Sequence, residues 1–137
     1  MPLPIVASLI RTGALLLLLA VAAGAFGAHG LRPHLDGVAL DQWRTAVEYQ
    51  FYHGLGLLLV AALAGQLEPA RVRWILYLFS GGVLLFSGSI YVLSTRELTG
   101  WEAAGAVVGP ITPLGGLMLM TGWLLLLLPA RRRSDPT

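Results

Sequence analysis

The chain has 137 residues, 56% hydrophobic and 12% charged, with a net charge of +2 and a mean hydropathy of +0.75. A soluble domain carries roughly 25% charged residues, and one this small would expose too much surface to hide so much apolar side chain. The lack of cysteine excludes disulfides, thiolate chemistry and cysteine-ligated metal. Arginines are scattered singly except for Arg131, Arg132 and Arg133, which follow an apolar run and read as a topology anchor. No basic stripe accompanies them, so nucleic acid is not an expected partner.

Four apolar stretches approach the ~20 residues needed to cross the hydrocarbon layer. The first covers about 5–27, interrupted near its start by Arg11 and Thr12. Its leucines resemble a signal-peptide core, but Arg11 sits late and no hydrophilic mature start follows, so a retained helix is expected. The second covers about 42–65 behind Asp41 as N-cap, with its first two turns at the membrane surface. The third covers about 73–94. The fourth covers about 112–128, opened by Thr112 and Pro113 and stopped by Pro129, which makes it a short span of roughly 16 residues. Between these last two, 103–108 is apolar enough to lie on the membrane or dip into it.

Backbone groups in lipid must be satisfied within the segment, so these stretches are helices. The expected fold is a single all-α domain over 1–137, a four-helix transmembrane bundle. Arg71, Arg73 and Arg131 to Arg133 on one side outnumber Arg32, Arg44 and Arg96 on the other, which predicts cytoplasmic N- and C-termini. Trp74 at one interface, with Trp43 and Trp101 at the other, fits aromatic belts.

On this topology the polar side chains gather at the outer ends of the helices. His29, Glu48, Tyr49, Tyr52, His53, Ser87, Tyr91 and Thr112 form the candidate cluster, expected to face one another because lipid offers no water. Glu48 and Tyr52 are one helical turn apart, as are Tyr49 and His53, and Ser87 and Tyr91. Gly27, Gly30, Gly88, Gly115 and Gly116 are candidates for close helix approach.

The segments 24–31 (GAFGAHGL), 49–53 (YQFYH), 86–91 (FSGSIY) and 111–116 (ITPLGG), followed by Gly122 and Trp123, resemble the YgdD/YwdK-like family. This is a family of small bacterial inner-membrane proteins, a domain of unknown function with relatives in eukaryotes. The resemblance implies four membrane helices and a bacterial inner-membrane location. It implies no reaction.

His29, His53 and Glu48 could ligate a metal, but they lack the paired Glu-x-x-His pattern of metal-carrying bundles, so no metal or cofactor is expected. Glu48 reads as a surface ion pair with Arg44 or Arg32. Ser87 and Ser89 lack a nucleophile elbow, and a noncatalytic protein is expected. The cluster would hold the bundle together and bind a lipid, small ligand or partner membrane protein. The competing reading is a transporter or channel acting as an oligomer, with a polar route continuing below Gly88 to Arg71 or Arg73. The expected partners are the lipid bilayer and either further copies of the chain, as a homo-oligomer, or the other subunits of a larger membrane complex.

Overall fold

The computed structural model describes residues 3–129, with side chains from residue 4 onward; the Arg131 to Arg133 anchor lies outside the described residues. Helix α1 (Leu3–Phe26) runs on into one π-helical turn, Gly27–Leu31. Helix α2 (Gly37–Leu63) closes in a 3-10 turn, Ala64–Gln66. Helix α3 is Pro69–Thr99, α4 is Ala104–Val108 and α5 is Ile111–Leu127. Four segments are long and apolar enough to cross a membrane: Pro4–Leu31, Gly37–Gln66, Pro69–Thr99 and Ala104–Leu127. The described residues contain no strand.

Local chemistry sets the ends. The Asp36 side chain accepts from the Ala39 N–H at 2.7 Å, so α2 starts more than a turn before the expected Asp41 cap. Asp41 instead pairs with Arg44. α3 opens with Pro69, whose missing N–H costs nothing in the first turn, and closes on Gly100 at φ 71. That left-handed backbone favours glycine, and it lets the Trp101 N–H donate to the Arg96 carbonyl. The apolar segment before the fourth helix is α4. Together with α5 it makes a 24-residue span, about 36 Å by helical rise. The fourth span is therefore not the short one that Thr112 and Pro129 alone imply.

The helices pack in chain order, α1 on α2, α2 on α3 and α3 on α5, which puts α2 and α3 in the middle. Contacts run antiparallel throughout. A Cβ at Gly13 would meet the Gly54 carbonyl, and one at Gly24 would touch Val47. Across α3 and α5, Gly82 faces Leu119 and Gly122 faces Phe79. At the end marked by Arg71, Leu9, Leu57, Val60, Val72, Ile75 and Phe79 fill the interior. The closest approach to another helix's backbone is at Gly115, where any Cβ would run into the Phe86 backbone nitrogen. Such small-residue contacts are how membrane helices pack without a hydrophobic drive between them. Of the other expected glycines, Gly27 lies under Trp43, Gly30 meets only Phe26 of its own helix, and Gly116 makes ordinary contact with Phe86. Gly88 faces open space and has no part in the seam.

Candidate functional site

The early start of α2 changes where its polar residues sit. Gln50 and His53 lie near the midpoint of the Gly37–Gln66 span rather than at the outer surface. Both are buried, at 6% and 4% exposure. They follow the inward stripe of α2 through Ala46, Gln50, His53, Leu57 and Val60, the three-and-four spacing of one helix face.

Gln50 is the hub. Its amide NH2 donates to the Leu16 carbonyl of α1 at 2.9 Å. Its Oε1 accepts from the Tyr91 hydroxyl of α3, also at 2.9 Å. Above it, the Trp43 indole N–H donates to the Ala23 carbonyl at 2.9 Å. The indole ring packs against Tyr91 with centroids 4.5 Å apart. Gly27, on the π-helical turn, leaves the room that the indole occupies. Trp43 is thus an inward packing residue and not part of an outer aromatic belt. Trp74 and Trp101 are exposed.

One turn further along α2, His53 joins α5. Its Nε2 accepts from the Trp123 indole N–H at 3.0 Å. An indole nitrogen can only donate, so the ring proton sits on Nδ1, which donates to the Tyr49 carbonyl at 2.7 Å. Phe79 meets the imidazole edge-on at 5.1 Å, and Tyr49 packs against Phe86 at 4.5 Å. Ser89 and Thr112 tie α3 to α5 through their hydroxyls, 2.6 Å apart. Ser87, buried on α3, has no hydrogen-bond partner for its hydroxyl.

The rest of the expected cluster lies elsewhere. His29 is exposed and bonded to Ala25 of its own helix. Tyr52 is 55% exposed on the outside of α2. Glu48 is exposed, and the Arg44 guanidinium expected beside it pairs with Asp41 at 2.9 Å. Glu48 and Arg44 instead rim a recess of about 190 Å³ between α1 and α2, floored by Gly24, Gly27 and Trp43. Among the described residues no three His, Asp or Glu side chains converge. Sequence reasoning passed over Gln50, Trp123 and Ser89 as site residues. The signal for Gln50 was available, since it is a polar residue inside an apolar stretch and three positions from His53.

These features define a small multi-pass membrane protein whose helices are joined by buried hydrogen bonds. The family model described as "Protein of unknown function (DUF423)" matches residues 23–116, and the chain belongs to that family. It is 40% identical to the UPF0382 membrane protein SH2409 of Staphylococcus haemolyticus, over 85% of this chain and 88% of that one. It is 41% identical to the UPF0382 membrane protein YwdK of Bacillus subtilis, over 86% of this chain and 91% of that one. No solved structure matches it significantly.

Proposed function

We propose that the protein is noncatalytic and acts in the membrane by binding, with its buried polar side chains holding the bundle rather than performing chemistry. The observation that carries this reading is where the interhelical hydrogen bonds go. Trp43, Gln50, Tyr91 and Trp123 each donate to another helix of the same chain. A catalytic donor set would point at a space for substrate. The binding contact in this reading is the recess rimmed by Arg44, whose guanidinium is already paired with Asp41, and by the exposed Glu48 carboxylate, open to a lipid headgroup, small ligand or partner membrane protein.

An axial transport path finds less support, because the apolar core from Leu9 to Phe79 fills the interior beyond His53. The test compares two sets of variants, purified in native lipid. Gln50→Leu and His53→Leu should lower thermal stability. Arg44→Gln with Glu48→Gln should leave stability unchanged and remove what copurifies. Unchanged stability in the first set, together with loss of a cellular phenotype, would overturn the reading.

A further inference from the structure

At the other end of the molecule, α2 and α5 splay apart around an apolar groove of about 720 Å³. That volume lies within the roughly 300–1,000 Å³ typical of small-molecule sites. Its walls are leucines, including Leu59, Leu63 and Leu124, with Met120, Trp123 and one polar residue, Gln66. The Trp123 wall is fixed in place by its bond to His53, so part of the groove is preorganised.

Two features say what occupies it. The lining contains no glycine, alanine, serine or threonine, the residues that let another helix approach closely. A flexible acyl chain needs no such approach. The second feature is charge. Arg71 donates to the carbonyls of Leu128 and Pro129 at 3.1 and 3.0 Å, which sets a guanidinium at the groove's end beside a wall residue. Arg73, two residues on in α3, is exposed but points away from Arg71 and the groove. We propose that the groove binds one acyl chain of an anionic phospholipid, whose headgroup rests against Arg71. The site is separate from the recess at Arg44 and Glu48, and either reading can fail alone.

The full chain, delipidated in detergent, would be titrated in native mass spectrometry with phosphatidylglycerol and with phosphatidylcholine of the same acyl chains. A one-to-one phosphatidylglycerol adduct is expected, favoured about fivefold, the factor one arginine near the surface contributes. Leu124→Trp, which fills the groove from an exposed wall position, should abolish it. Leu84→Trp, at a still more exposed position on α3, should not. Arg71→Gln should reduce the preference for phosphatidylglycerol without removing the adduct, whereas Arg73→Gln, on the opposite face of α3, should leave the preference unchanged. Equal binding by Leu124→Trp and Leu84→Trp, or no headgroup preference, would each overturn the proposal. If Leu124→Trp does not fold, Leu59→Trp on the facing wall makes the same test, with circular dichroism as the check on both.

Discussion

A hydrogen bond between membrane helices is worth on average about 0.6 kcal/mol and at most about 1.7, because the separated helices also find partners. The cost rises when one partner is removed and the other is left buried without a bond. His53→Leu does this to the Trp123 N–H, so it should lower stability in detergent by about 1–3 kcal/mol. Tyr52→Phe, at a side chain 55% exposed on the outside of α2, should leave the thermal midpoint unchanged. Gln50 and Tyr91 offer a cleaner measurement, since they bond directly. A double-mutant cycle of Gln50→Leu and Tyr91→Phe should give a coupling of about 0.6–1.7 kcal/mol. Zero coupling would mean that the bond contributes nothing to the bundle. The sequence made polarity visible at His53 and Tyr91 but not their partners. Trp123 and Gln50 meet them only because of depth and side-chain direction, which depend on where each helix starts.

For whole elements, the seams between helices decide the packing. Gly115→Ala would drive a methyl into the Phe86 backbone, and a backbone cannot rotate away as a side chain can. The α3–α5 pair should lose about 1–3 kcal/mol, as overpacked cores do. Gly88→Ala, with nothing near its Cβ, should be neutral or slightly stabilising, since alanine is the better helix former. Thermal unfolding of the two variants side by side checks both. The number of membrane spans was readable because runs of apolar residues report lipid directly. Their ends were less so. Asp36 and Asp41 are both acceptable caps by residue type, and only the backbone turn after Leu35 selects Asp36. The apolar stretch around α4 was visible too, but whether it joined the fourth span depended on how the chain turns at Gly109 and Pro110.

For the molecule as a whole, four antiparallel spans put the start of α1 and the end of α5 on the same side of the bilayer. Which side that is follows from charge. Arg71 and Arg73 lie in the connection after α2, and Arg131 to Arg133 follow the last span, against Arg32, Arg44 and Arg96 at the opposite end. Lys and Arg in short loops set orientation, whereas Asp and Glu contribute little. The Arg71 end should therefore face the cytoplasm, which would also place the proposed acyl groove in the cytoplasmic leaflet. The chain has no native cysteine, so a single introduced thiol reports without background. Glu102→Cys, in the exposed turn after α3, should react with a membrane-impermeant maleimide on intact cells. Ala70→Cys, at the exposed start of α3, should react only after the membrane is permeabilised. The reverse pattern would invert the topology and move the groove to the outer leaflet.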